Sequence, residues 1–373
     1  MRILYISNSA SLTGAPRMLL TICRGMQSAG HDVAVISPSC GGPLADELKA
    51  AGIRVFDDAD YRMTVWPGLV NPIKFCRRMY YLLWGVNKAR KYVGDVMDLF
   101  HPDIVHTNVG PLDLALDECR RRGIPHVWHL REFGVGGIGM GAFPSRRKFL
   151  ERLHDSYNNC IAISSCIADN WGLGTIIYDG VFSREETFAE HLPVPGMGKY
   201  ILYVGRIERA KGLLDTLKAF RKARIEDCRI VAVGQPCGFY AMICRAYASL
   251  FLPGKVTFTG VRRDVLSLMA GARALDVPSH REGFGLTVAE AMMVGCPVLG
   301  RDVAGVKEQM DACHGEEIAL RWDSRKSHIA ALRTVVTSDM SHMVSRAATV
   351  ARDSYTSEKS ISSLESFYKG LLK

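Results

Sequence analysis

The feature that most constrains this chain is an alternation that runs, stops and starts again. Short apolar segments at 2–7, 32–38, 53–56, 103–108, 126–130, 160–165 and 175–181 are separated by stretches of helical spacing at 16–30, 43–52, 111–122 and 146–154. Buried strands joined by amphipathic crossovers form parallel sheets. The pattern then breaks at HLPVPGMG (191–198), which holds two Pro and two Gly. It resumes with 200–205, 229–234, 255–260, 274–279 and 297–300, with helices opening after Gly212 and Gly238. A last helical pattern begins near Tyr355 and carries Ile361, Leu364, Phe367, Tyr368 and Leu371. A chain of 373 residues exceeds one ordinary core. The expectation is therefore α/β: a doubly wound domain over 1–190, a linker at 191–199, a second domain over 200–354 and a terminal helix over 355–373.

Composition excludes some classes. With 48% hydrophobic and 23% charged residues the chain is globular rather than disordered. The net charge of +9 suits phosphorylated ligands, anionic lipid or nucleic acid, and no nucleic-acid reader motif accompanies it. No apolar run is long enough to span a bilayer, and the start, MRILYISNSA, reads as a buried strand rather than a signal peptide. Eleven Cys without a C-x-x-C read as small buried apolar side chains in a reducing, cytoplasmic setting. The segment 71–92 holds six Lys/Arg, no acid and several aromatic residues. It reads either as a helix packed on the first domain or as one lying on an anionic membrane surface.

Doubly wound sheets bind ligands beyond the carboxyl ends of their strands. Functional residues are expected there. The first such turn, 7–19, brings Gly14 to a helix start, where free N–H groups attract phosphate. Gly205 and Arg206 follow a strand, and Lys211 stands five residues after Arg206. A guanidinium and an ammonium so placed suit a pyrophosphate. In 276–300, Glu282 precedes Gly283-Phe284-Gly285, and Glu290 lies one turn into the helix that follows. Two carboxylates flanking a helix N-terminus fit an anionic sugar nucleotide: N–H groups meet its charge and carboxylates accept from vicinal hydroxyls. Paired carboxylates also serve glycoside hydrolysis, which the glycine-bounded helix start makes a poorer fit.

Two motifs are weaker. Residues 134–139 spell G-x-G-x-x-G, but the next strand ends in Ser164-Ser165 instead of the acid a dinucleotide site needs. The stretch reads as a ligand-facing loop. Asp58-Ala59-Asp60 matches a metal-binding D-x-D in letters and sits in an acidic patch of the half not expected to hold the donor. No cofactor and no metal are expected.

E-G-F-G-L-x-x-x-E-A-M, after P-S and before G-x-P-V, resembles the E-x7-E signature of glycosyltransferase family four, retaining enzymes of the GT-B fold. VGRIERAKG resembles the family's G-R-x-x-x-x-K-G, FTGVR (258–262) its F-x-G turn, and PDIVHTN (102–108) its P-D-x-V-H strand. The resemblance implies two Rossmann-like domains facing a crevice, with the terminal helix crossing back to the first. It implies that Arg206 and Lys211 hold the donor pyrophosphate, Glu290 the ribose, and Glu282 with the amides of Gly283, Phe284, Gly285 and Leu286 the transferred sugar, with Thr287 also on the donor side. Gly260-Val261 would lie beside the base. His129 matches the family's His near sugar and acceptor, and the loop after it would border the acceptor pocket. Two departures stand out: Thr13-Gly14 where the family carries Gly-Gly, and Asp179-Gly180-Val181 where it carries Asn-Gly-Val.

The expected activity is transfer of a hexose-type sugar from a UDP- or GDP-sugar donor to a hydroxyl acceptor, a glycan or lipid-linked sugar, in bacterial cell-surface synthesis. A sugar-nucleotide epimerase, a nicotinamide oxidoreductase resting on the glycine loop, and a non-catalytic sugar-nucleotide binding protein are the competing readings.

Overall fold

The computed structural model describes residues 1–12, 14–38, 41–66, 72–134, 142–185, 191–313 and 316–373. Most of the glycine-rich loop after His129, and Thr13, lie outside them. The chain forms two compact units, one of Met1–Gly180 with Ser357–Lys373, the other of Val181–Thr356. The first boundary thus falls ten residues before the Pro/Gly-rich stretch. That stretch packs on the second unit: Arg229 donates to the Met197 carbonyl at 2.7 Å, and Lys199 pairs with Asp227 at 2.8 Å.

The first unit is built on a parallel sheet of β1 (Arg2–Ile6), β2 (Asp32–Ile36), β3 (Arg54–Phe56), β4 (Ile104–Thr107), β5 (His126–Leu130), β6 (Asn158–Ala162) and β7 (Thr175–Ile176). Their order is β3-β2-β1-β4-β5-β6-β7. Successive side chains of β1 point to opposite faces, as strand geometry dictates. Leu4 and Ile6 join a core with Val93, Met97 and Phe100 of helix Val86–Phe100. Ile3 and Tyr5 join the other core, with Leu19 and Cys23 of helix Ala15–Ser28 and with Leu364 and Tyr368. The terminal helix Ser357–Leu371 therefore belongs to the first unit, as the family resemblance implied.

The second unit repeats the plan with β8 (Tyr200–Val204), β9 (Arg229–Val233), β10 (Val256–Gly260), β11 (Ala274–Val277), β12 (Val298–Arg301) and β13 (Leu320–Trp322), in the order β10-β9-β8-β11-β12-β13. All pairings are parallel. The strand order reverses between β8 and β11, and in open parallel sheets ligands bind beyond the carboxyl ends of the strands at such a reversal. No helix among the described residues is long and apolar enough to cross a membrane.

Candidate functional site

In the second unit the loops after β8 and β11 are fastened to each other, and this brings the two sequence motifs together. His280 N–H donates to the Ala210 carbonyl at 2.9 Å. Gly212, at φ 73°, ends the short 3-10 turn Arg209–Lys211, and a Cβ there would lie 2.2 Å from the Pro278 carbonyl oxygen. Only glycine combines that backbone with that approach. The turn is thereby held so that Lys211 Nζ donates to Glu282 Oε2 at 2.7 Å, both side chains under a third exposed. Arg206 is more open and pairs with Glu208 at 2.8 Å, while Tyr203 Oη donates to the Arg206 carbonyl at 2.8 Å. Gly205 connects β8 to Arg206.

Gly283-Phe284-Gly285 leads into helix Leu286–Met293, with Gly285 at φ 93° as its cap. The amides of Leu286 and Thr287 open the helix, where an intrahelical acceptor is lacking. For Phe284 the expectation concerns only the main-chain amide. Its side chain is buried edge-on against Tyr355 with centroids 5.3 Å apart, so only its main chain is available to a ligand. Glu290 is buried in the middle of the helix. Gly260 ends β10, and Val261 beside it is largely exposed.

Two positions that sequence reasoning missed hold this loop from behind. Gly305 N–H donates to the Glu282 carbonyl at 3.0 Å, and a Cβ on Gly305 would lie 2.5 Å from the Gly283 carbonyl oxygen. Buried Gln309 donates through Nε2 to the Gly285 carbonyl at 3.1 Å and also to that of Phe284. Nothing in the linear pattern marks either residue, because their partners lie about 22 to 25 positions away in sequence.

In the first unit, Gly14 caps helix Ala15–Ser28 at φ 58°, with open space where a Cβ would stand. His129, at the end of β5, is buried in a chain of polar groups. Its Nδ1 lies 3.2 Å from His106 Nε2 and 3.3 Å from Arg131 Nη2. His106 Nδ1 lies 2.6 Å from Tyr368 Oη, itself 3.3 Å from Tyr5 Oη. Arg131 Nη1 donates to both Asp179 oxygens at 2.7 Å, and Arg131 Nε to Asn108 Oδ1 at 3.1 Å. Burial, with the Arg131 charge, pushes both His129 and His106 well below the usual imidazole range, so both are neutral. Burial pushes the Glu132 carboxyl up to about 7 despite Arg131 beside it. His129 Nε2 is buried and has no hydrogen-bond partner among the described residues.

The Asp58-x-Asp60 pair carries no sign of a metal cage: Asp60 faces Arg62 at 3.3 Å, and among the described residues no group of three or more His, Cys, Asp or Glu could hold an ion. Residues 72–100 form one continuous rod: helix Pro72–Tyr80, a wide turn at Tyr81–Gly85, and helix Val86–Phe100. No residue of its first segment is buried.

A family model described as Glycosyltransferase Family 4 matches residues 12–173, and one described as Glycosyl transferases group 1 matches 184–317. The glycogen synthase of Mycobacterium tuberculosis is 26% identical over 342 residues, covering 83% of this chain and 80% of that protein. A GDP-mannose-dependent alpha-mannosyltransferase of Mycolicibacterium smegmatis is 27% identical over 338 residues, covering 84% and 83%. Among solved structures, Anabaena HepE in complex with UDP and glucose superposes with a TM-score of 0.77 at 17% identity, over 99% of this chain and 100% of that one. That likeness is one of fold: two parallel-sheet Rossmann-like domains of the GT-B type.

Proposed function

Since the chain belongs to the family-four glycosyltransferases, we propose that it moves a hexose-type sugar from a UDP- or GDP-sugar to a hydroxyl acceptor with retention at the anomeric carbon. The observation that carries this reading is the pairing of Lys211 with Glu282, beside Arg206 and the Gly283–Glu290 segment, at the point where the β8–β11 strand order reverses. Arg206 and Lys211 would hold the diphosphate, Glu282 and the loop amides the sugar, Glu290 the ribose hydroxyls. The anomeric C–O bond to the diphosphate breaks while the acceptor oxygen bonds to the same face of that carbon. The acceptor proton passes to the leaving diphosphate oxygen. The two cations offset charge on that oxygen, so the proposed step needs no metal. The GDP-mannose dependence of the mannosyltransferase relative and the UDP of the HepE complex favour a nucleotide-sugar donor.

Calorimetry with UDP and GDP, followed by turnover of a UDP- and GDP-sugar panel with and without a bacterial lipid extract, tests the proposal. Micromolar binding of one nucleotide with acceptor-dependent release supports it. NMR of donor alone separates transfer from epimerisation, which would alter the sugar without acceptor. Binding of neither nucleotide overturns it.

Glu290→Ala is expected to raise the donor KM about tenfold or more while leaving kcat within a few-fold. Loss of a hydrogen bond to a charged group costs about 1.5–3 kcal/mol, and binding shared by ground and transition states appears in KM. Initial-rate kinetics over donor concentration check it; an unchanged KM removes Glu290 from the ribose.

The acceptor side is proposed to lie on an anionic membrane in cell-surface polysaccharide or glycolipid synthesis. Ile73, Tyr80, Leu83 and Trp84 are exposed, at 78%, 65%, 50% and 61%, on the rod that also carries Lys74, Arg77, Lys88 and Lys91. Exposed apolar side chains rimmed by cations suit the headgroup boundary. A triple variant, Ile73→Ser, Tyr80→Ser and Trp84→Ser, is expected to lower affinity for phosphatidylglycerol vesicles at least ~10-fold, since each side chain withdrawn from apolar burial forfeits about 1.5–3 kcal/mol. Equal sedimentation of wild type and variant with vesicles would dismiss the surface.

A further inference from the structure

One arrangement of protons uses every polar contact of His129 Nδ1, its single lone pair shared by two donors. An arginine donates and never accepts. Arg131 Nη2, 3.3 Å from His129 Nδ1, therefore requires that nitrogen to carry a lone pair. His106 Nε2, 3.2 Å from the same atom, must then supply a proton to it. A neutral His106 with its proton on Nε2 has a lone pair on Nδ1, which accepts from Tyr368 Oη at 2.6 Å. The Tyr368 oxygen in turn accepts from Tyr5 Oη at 3.3 Å. Every donor in the chain points toward His129 Nδ1, and His129 is left with its single proton on Nε2, the atom that has no partner among the described residues.

We propose that Arg131, held by Asp179, and Tyr368 of the terminal helix are positioning residues that fix His129 as a neutral imidazole with its proton on Nε2, so that His129 serves a sugar hydroxyl as a hydrogen-bond donor and not as a base. The role toward sugar rests on the proposed transferase reading; the tautomer does not. A buried N–H without an acceptor is costly unless a ligand meets it, and a hydroxyl oxygen is the group that such a donor fits. The arrangement also gives a reason for Asp179 where the family carries Asn. Arg131 brings a full positive charge among buried imidazoles, with a side chain only 4% exposed, and a carboxylate with both oxygens at 2.7 Å compensates it where an amide would not. Among the described residues, the charged or titratable groups along this chain are Arg131 and Asp179, His106 with His126 near it, Tyr368 and Tyr5 with Cys23 near them, and Glu132 next to Arg131.

The test begins with long-range proton–nitrogen NMR of the full chain labelled at histidine, His129 being assigned by the signal lost in His129→Asn. The expected result is a protonated Nε2 and a bare Nδ1 from pH 6 to 8. Protonation on Nδ1, or an imidazolium, overturns the proposal. Arg131→Met removes one donor, and Tyr368→Phe removes the hydroxyl while keeping the ring packed. Each should admit the other tautomer and lower kcat by about 10-fold, a fraction of the ~10²-fold that losing an oriented donor costs, with UDP or GDP dissociation constants unchanged. Arg131→Lys, which retains charge and a donor, should recover part of the loss. Tyr368→Phe keeps the test readable if Arg131→Met fails to fold. A tautomer unmoved in both variants, or a kcat unmoved with the tautomer shifted, refutes the positioning role. Failure of the transferase reading would show instead as wild type without nucleotide binding or turnover, while the NMR result still stands.

Discussion

Lys211→Ala is expected to lower turnover by about 10²-fold or more, the scale for removing a preorganised partner of transition-state charge. The ammonium stands at the end of a turn whose position is dictated by main-chain contacts, not by its own salt bridge: His280 N–H on the Ala210 carbonyl, and Gly212 against Pro278. Its present partner, Glu282 at 2.7 Å, neutralises it without fixing it, because both side chains keep some exposure. In the proposed reaction a diphosphate would take over that ammonium and free Glu282 for sugar hydroxyls. Charge grows on the diphosphate as the anomeric bond breaks, so a fixed cation gains strength along the reaction and the loss falls on kcat more than on donor KM. Lys211→Arg should rescue poorly, since a planar fork does not occupy the space of a compact ammonium. Arg209→Ala, two residues earlier and outside the proposed site, should change turnover less than twofold. Single-turnover kinetics with the preferred donor make the comparison. If Lys211→Ala turns over like wild type, the diphosphate is held elsewhere.

The two-sheet plan was readable because each strand needed only a local signal, four to six apolar residues bounded by turns. β13 was missed because Leu320–Trp322 is interrupted by Arg321 and its apolar approach follows two acids, Glu316 and Glu317. The stretch from Pro111 reads as helix, yet the helix starts at Leu116; 111–115 are buried in turns, with Thr64 N–H bonded to the Pro111 carbonyl at 2.8 Å. Arg206, Lys211, Glu282 and Glu290 could be nominated from sequence because each stands in a motif where spacing, glycines and strand ends coincide. What could not be read was the support behind them. The Asp179 departure was visible, but its partner Arg131 lies 48 positions away, and Tyr368 reaches His106 across 262. Such pairs carry no local period; only the packed sheet and the returning terminal helix bring them together.

The same absence of a local signal hides the residue whose loss should cost the second unit most. Asp276, on central strand β11, is 1% exposed and accepts from Thr216 Oγ1 at 2.5 Å and from His328 Nε2 at 3.0 Å. These partners sit on helices Leu213–Ala223 and Arg325–Thr337, so one carboxyl ties two helices to the sheet. His328 is itself stacked on Trp322 of β13, with ring planes 4° apart and centroids at 3.8 Å, and the Arg301 guanidinium of β12 lies over the Trp322 ring at 5.4 Å. Asp276→Ala would strand a buried hydroxyl and a buried imidazole and leave a cavity between packed layers. Each orphaned polar group costs about 1–3 kcal/mol, and the whole loss is expected at about 3–5 kcal/mol, measured as a fall in urea midpoint at unchanged slope. A double variant, Asp276→Leu with His328→Leu, should recover part of it, because removing both partners leaves fewer polar groups unpaired. Single and double variants of equal stability would show that the pair is not the tie. The consequence for the site is direct. Asp276 is two residues before Pro278, the carbonyl against which Gly212 is fitted, so a loosened β11 displaces the turn that aims Lys211. Turnover in Asp276→Ala should therefore fall at temperatures where circular dichroism still reports a folded chain.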